Sequence, residues 1–237
     1  MERSFLGKLS FGKTVLQKQE GMEKHKFKIS DLQQYVEQAV IEFMRKDAPL
    51  LKLKAHEQAI SHRVAYYLEN QFSESDRKEL NVDCEYNKHE DAYKISHIDL
   101  GKYLDEYEQV EFETCRCYKC KKWLNKAFSK PLHKKPIRPD VLVHSRGHNG
   151  PDYNLIAIEI KKDKICPFDK AKLRALTELD KKEECYGYQL GVFLYFPKGQ
   201  PKYLRFLGGK ECPVYERVLQ SDSMENHVWT STPNNPC

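Results

Sequence analysis

The chain has 237 residues, enough for one substantial core or for one core with an appendage. At 40% hydrophobic and 32% charged residues it reads as a soluble globular protein, and no apolar run approaches the ~20 residues needed to cross a bilayer. The net charge of +5 permits a nucleic-acid partner without requiring one, and the polar, basic N-terminus lacks the apolar stretch of a signal peptide, so a cytoplasmic setting without a membrane partner is expected.

Residues 1–28 are rich in Lys and Gln, are weakly periodic, and read as a basic arm ahead of a single domain spanning 29–220. Ser30 and Gln33 have capping-box spacing, and Leu32, Tyr35, Val36, Ala39, Val40, Phe43 and Met44 recur at helical period, with Pro49 as the stop. A second helix is expected from about Leu53 to Phe72, with Ile60, Val64, Tyr67 and Leu68 as its apolar face. Glu57 falls on that same face, where a carboxylate is out of place unless it has a partner. Residues 81–86 read as a short strand. A polar insertion follows over 87–136, and it carries the Cys cluster Cys115-Arg116-Cys117-Tyr118-Lys119-Cys120.

Two strands come next, over 138–144 and 155–161, separated by the turn chemistry of His148-Asn149-Gly150-Pro151-Asp152. Pro167 introduces a third helix, expected from Phe168 to Glu184, with Phe168, Ala171, Ala175 and Leu179 facing inward. The nearly continuous apolar run from Gln189 to Phe196 suits a strand buried on both faces, and Tyr203 to Leu207 offers one more. Residues 221–237 read as a flexible tail. The order of elements gives an α/β architecture, a mixed central sheet flanked by helices.

Charge placed on the two middle strands is the feature that points to chemistry. Ile156, Ile158 and Ile160 project to one side, while Ala157, Glu159 and Lys161 project to the other. A carboxylate and an ammonium on an otherwise apolar strand are costly to bury without partners. If the strands pair as a hairpin, Asp140 approaches Glu159, and two carboxylates with a lysine can bind Mg²⁺ and activate water. Taken singly, Asp140 is also a turn residue after proline, Glu159 and Lys161 a salt bridge at a sheet edge, and Glu57 an acid that suits a helix N-terminus. The four together point to a metal site.

Pro139-Asp140 followed by Glu159-Ile160-Lys161 resembles the motif of the PD-(D/E)XK, or restriction-endonuclease-like, nuclease superfamily. His62-Arg63, Asp83-Cys84-Glu85-Tyr86-Asn87, Arg138 to Gly147 and Glu159 to Lys162 are similar to a family of standalone bacterial proteins that carry this motif, and the resemblance spans roughly 55–197. It implies a restriction-endonuclease-like core with an insertion between its first and second strands. It also implies Mg²⁺ or Mn²⁺ held by Asp140, Glu159 and the backbone carbonyl of Ile160. Lys161 would orient the attacking water, and Glu57 would stand as an additional acidic residue. Lys clusters around 119–138 and 161–174 suit a phosphate backbone, and His62, Arg63, Arg146, Lys162 and Lys172 are candidate nucleic-acid contacts. Glu85 and His144 are weaker site candidates, since His144 lies roughly 13 Å along its strand from Asp140.

Three of the eight cysteines, Cys115, Cys117 and Cys120, form a zinc-like group, with His133 or Cys84 as a fourth ligand for a structural Zn²⁺; three plain thiols or a redox pair are the alternatives. Cys166, Cys185, Cys212 and Cys237 show no ligand spacing. The expected function is a metal-dependent nuclease acting on DNA, for which a homodimer would suit double-strand cuts. The competing expectations are a catalytically inactive nucleic-acid-binding or assembly module on the same fold, and a partner subunit without nucleic-acid contact.

Overall fold

The computed structural model describes residues 27–53, 55–86, 88–89, 92–93, 95–96, 115, 120, 135–136, 138–148, 150–179 and 186–212. Most of the basic arm, most of the polar insertion and the C-terminal tail therefore lie outside the described residues. No helix among those described is long and apolar enough to cross a membrane.

The chain enters through α1, Ile29–Lys46. Its start is earlier than the Ser30–Gln33 spacing suggests, because the Asp31 carboxylate accepts the Lys28 backbone N–H at 3.4 Å. Phe27, assigned to the arm by sequence, stacks edge-on against Tyr35 and Phe72 and belongs to the core. Pro49 does more than end α1: it opens the short helix α2, Pro49–Lys52, where its missing N–H costs nothing. Helix α3 follows as Glu57–Glu69, later than the expected start at Leu53, and α4 is a single turn at Asp76–Glu79.

Six strands form one sheet in the spatial order of the chain: β1 Asn81–Cys84, β2 Val141–His144, β3 Asn154–Lys161, β4 Leu190–Tyr195, β5 Lys202–Leu207 and β6 Lys210–Cys212. All neighbours are antiparallel except β3 and β4. That parallel pair needs a crossover, and α5, Pro167–Thr177, lies in it. Two further two-residue pairings, Lys88–His89 with Ala92–Tyr93 and Ile95–Ser96 with Lys135–Pro136, stand apart from the main sheet. The α/β reading with a mixed sheet and flanking helices therefore holds. Strand β6 went unread in the sequence, although Gly208-Gly209 is a hairpin signal; both glycines take positive φ, 55° and 79°, as a type I′ turn requires.

The two faces of the sheet are both covered. Val141, Val143, Ile156, Ile158, Ile160, Leu190, Val192 and Leu194 pack against α1 and α3. Leu142, Ala157, Phe193 and Phe206 pack against α5 through Ala171, Leu173 and Leu176. Alternation along β3 thus works as the sequence implies, with the isoleucines on the α1/α3 side and Ala157 on the α5 side. Gly191 lets α5 lie close to β4: a Cβ there would come within 2.9 Å of Thr177 Cγ2 and 3.0 Å of Phe206 Cβ. Helix α5 is shorter than its expected span, since Glu178 already turns extended.

Candidate active site

The register of β2 and β3 decides where the charges meet. Val141 lies opposite Ile158, so Asp140, just ahead of β2, stands beside the end of β3 that carries Glu159 and Lys161. The Asp140 carboxylate accepts the Ile160 backbone N–H at 2.7 Å, and its own carbonyl accepts the Glu85 N–H at 3.2 Å. Asp140 is thus fixed between β1 and β3. Glu85, at φ 51°, takes the left-handed conformation at which β1 ends.

Helices supply the rest. The first residue of α3, Glu57, reaches Lys161, with Nζ donating to Glu57 Oε2 at 2.8 Å; this is the partner that its inward position called for. From the first turns of α5 come Asp169 and Lys172. Lys172 Nζ lies 2.5 Å from Glu159 Oε1 and 3.1 Å from Asp169 Oδ1, while Lys161 Nζ lies 3.5 Å from Asp169 Oδ2. Glu159 and Asp169 are fully buried, and the Lys172 side chain is only 4% exposed. Lys161 Nζ also donates to the Ile160 carbonyl at 3.0 Å. Among the described residues, four acids and two lysines from β3, the approach to β2, α3 and α5 therefore gather at one end of the sheet.

Electrostatics inside this cluster are strongly coupled. Burial pushes the Asp140 carboxyl above the usual carboxylate range, although Lys172, Lys161 and the Ile160 N–H pull against it. Burial would lower the Lys161 pKa, but Asp169, Asp140 and Glu57 outweigh it and raise it. Lys172 follows the same logic, with Glu159, Asp169 and Asp140 overcoming desolvation. Both lysines therefore keep their protons at neutral pH.

The sequence-derived nucleic-acid contacts are scattered. Lys172 does not lie on a phosphate-facing surface: it is buried as the counter-charge of Glu159 and Asp169, because the inner face of α5 includes it. Arg63 pairs with Asp47 at 2.6 Å and also donates to the Tyr67 hydroxyl. His62 is exposed on α3, and Lys162 donates to the Leu53 carbonyl at 2.9 Å. Arg146 is paired with Asp83, which also meets His144 Nε2 at 3.0 Å, at the other end of β2 from Asp140. Glu85 accepts from Gln58 Nε2 at 2.8 Å, next in sequence to Glu57.

Asp169 is the site residue that sequence reasoning missed. The signal was available: Phe168, Lys172 and Ala175 share one helical stripe, and Asp169 sits at i−3 from Lys172, so both charges belong to the buried side, whereas Leu179, expected to face inward, lies beyond the end of α5 and is exposed. Among the cysteines, Cys117 and His133 lie outside the described residues. Cys115 is half-buried, and Cys120 is buried with its Sγ 3.7 Å from Cys166 Sγ. Cys84 is exposed at its surface, yet partial desolvation and the neighbouring Asp83, Asp140 and Glu85 carboxylates push its thiol up to about 11. Cys212 is disulfide-bonded and so is not the plain thiol its spacing suggested. Among the described residues no three His, Cys, Asp or Glu side chains gather closely enough to hold a metal by themselves. Comparison of the chain with protein-family models, curated proteins and solved structures finds no match.

Proposed function

We propose that this protein is a metal-dependent nuclease of the PD-(D/E)XK type that hydrolyses phosphodiester bonds, with DNA as its substrate. The observation that carries this reading is the meeting of Asp140, Glu159 and Lys161 at one end of the sheet, with Glu57 on Lys161. The sheet order and the α5 crossover between β3 and β4 support a restriction-endonuclease-like core, with residues 85–140 intervening between two adjacent strands.

The donor set fits a hard divalent cation. Asp140, Glu159 and the Ile160 carbonyl offer oxygen only, and Mg²⁺ characteristically takes one or two carboxylates plus waters and phosphate oxygens. Among the described residues, four carboxylates stand with two ammonium groups at this end of the sheet, an acid-rich set that suits a divalent ion. When bound, such an ion would lower the pKa of a coordinated water and neutralise charge on the phosphoryl oxygens.

The residues divide the remaining work. Lys161 stays protonated, so it serves as a charged donor that orients water and stabilises developing negative charge, and does not act as a base. Glu57 holds that ammonium in place from α3 and is itself half-exposed. Lys172 pairs with Glu159 and is itself held by Asp169, which fixes the orientation of the Glu159 carboxylate.

Cleavage of supercoiled plasmid, linear duplex, single strands and RNA, with Mg²⁺ or Mn²⁺ and with EDTA, tests the reading. Metal-dependent cutting should fall by ~10²–10³-fold in Lys161→Ala. If neither metal supports cutting of any of these substrates, the nuclease reading fails, and metal-independent DNA retention would favour the binding module.

A further inference from the structure

We infer that Arg138 binds the substrate phosphate next to the one being cleaved, exchanging the Glu85 carboxylate for it. The inference rests on the proposed nuclease reading. Arg138 stands two residues ahead of Asp140, with Pro139 buried between them. A residue before proline is confined to extended backbone, and two residues of chain span no more than ~7 Å. Lys172 Nζ donates to the Arg138 carbonyl at 3.5 Å and so ties the Arg138 backbone to the buried end of the site. The Arg138 side chain itself is 59% exposed.

What sets this guanidinium apart is how little of it is used. Arg63 donates to Asp47 and Tyr67, Arg146 is paired with Asp83, and Lys161 and Lys172 are committed to acids of the site. Among the described residues the Arg138 side chain has one partner, Glu85, and NH1 stands 3.9 Å from Glu85 Oε2, beyond hydrogen-bond distance. Five donors in a planar fork are therefore held beside the site by charge alone, and such a fork matches two oxygens of a phosphate. An exposed pair of this kind is worth little, so exchanging it for a phosphate costs little.

Glu85 is the fixed partner of the two. Its backbone, at φ 51°, donates N–H to the Asp140 carbonyl, and its Oε1 accepts Gln58 Nε2 at 2.8 Å. The carboxylate is thus pinned between Asp140 and α3, while the guanidinium ends a long exposed side chain that can swing away. The cleaved phosphate is the business of Asp140, Glu159 and Lys161. A neighbouring phosphate keeps the same charge throughout the reaction, so a contact with it strengthens ground state and transition state alike and acts on KM.

Binding of a labelled linear DNA duplex by the full-length chain, with Ca²⁺ in place of Mg²⁺, and Mg²⁺-dependent kcat and KM test this together. Arg138→Gln should weaken binding and raise KM by ~10-fold, hold kcat within about twofold, and reduce the slope of log Kd on log salt by ~1. Its metal-free Tm should match that of the wild type, because an exposed pair adds little stability. Arg138→Lys should recover the salt slope but only part of the affinity, since it lacks the fork. Glu85→Gln keeps an acceptor for Gln58 and should tighten binding roughly two- to threefold, a gain that should vanish when Arg138→Gln is added. The inference is overturned if Arg138→Gln binds and cuts like the wild type, if its loss falls on kcat alone, or if the gain of Glu85→Gln persists without Arg138. Each of those outcomes leaves the nuclease reading standing, whereas a wild-type chain that neither binds nor cuts the duplex overturns both.

Discussion

Replacing Lys172 with Met should show what holds the buried end of the site together. The ammonium is 4% exposed and contacts two carboxylates, Glu159 and Asp169, that are not exposed at all. Removing one partner of such a group leaves buried negative charge without compensation, at a cost of ~3–5 kcal/mol. For a domain of this size that corresponds to a fall in Tm on the order of 10 °C in metal-free buffer. The raised pKa of Lys172 fixes the pH window: its contribution is fully present below the ordinary lysine pKa of ~10.4 and is lost as pH rises through the higher folded value. The deficit of Lys172→Met should therefore be constant across neutral pH and shrink only in strong alkali. Adding Glu159→Gln should restore part of the loss, since the two residues are coupled. Added Mg²⁺ should raise the Tm of the single variant more than that of the wild type, because one more negative charge awaits neutralisation. Urea and thermal denaturation with and without metal provide the readout. A Lys172→Met protein within ~1 kcal/mol of wild type would refute the account, since it would mean that Glu159 and Asp169 are solvated or protonated.

Asp140→Asn should separate stability from activity. Burial raises the Asp140 pKa, so its ionised form weakens the metal-free fold above the ordinary carboxylate range, and protonation at low pH relieves the strain. The amide keeps an acceptor for the Ile160 N–H. Metal-free Asp140→Asn should therefore melt above wild type at pH 7, lose that advantage near pH 4, and show neither cleavage nor the Mg²⁺-dependent rise in Tm. A variant that melts well below wild type at pH 7 would contradict this. Asp83→Asn tests the opposite end of β2. Although burial would raise it, His144 and Arg146 hold the Asp83 pKa down to about 2. Its stabilisation, roughly 1–2 kcal/mol after allowance for partial solvation, should be present above ~pH 4 and vanish as pH falls through about 2. Denaturation across that range should show the two proteins converging in acid, while cleavage at neutral pH stays within a few-fold.

Much of this arrangement was legible in the residues, and what was not has a physical cause. The β2–β3 hairpin could be read because alternation has a period of two and only one register puts the isoleucines of β3 on a single face. Glu57 could be flagged because a carboxylate on an apolar helical stripe needs a partner, though the identity of that partner, Lys161, depends on tertiary placement. Lys172 was misplaced because a lysine within a basic run reads as solvated, and only the packing of α5 on Ala157 and Phe193 shows that its stem runs inward. The contact of Cys166 with Cys120 lay beyond reach for a related reason, since it joins residues far apart in sequence.

The pattern of burial also bears on the choice between an enzyme and a binding module. A binding surface for a phosphate backbone would keep its cations exposed, where they cost little to solvate and can meet phosphate oxygens. Here the two lysines nearest the motif are turned inward, and their charge is spent on carboxylates. Replacing a buried ion cluster with apolar side chains is often neutral or stabilising, so stability alone gives little reason for Glu159 and Asp169 to be carboxylates. A group of acids that outnumbers its own lysines and lies at the end of adjacent strands suits a site whose remaining positive charge arrives with a cation. Among the described residues, Arg63 and Arg146 are already paired to Asp47 and Asp83 and so offer less to a purely electrostatic partner than the sequence suggested. The chemistry of the buried end therefore weighs more heavily than the basic composition of the chain, and it favours catalysis.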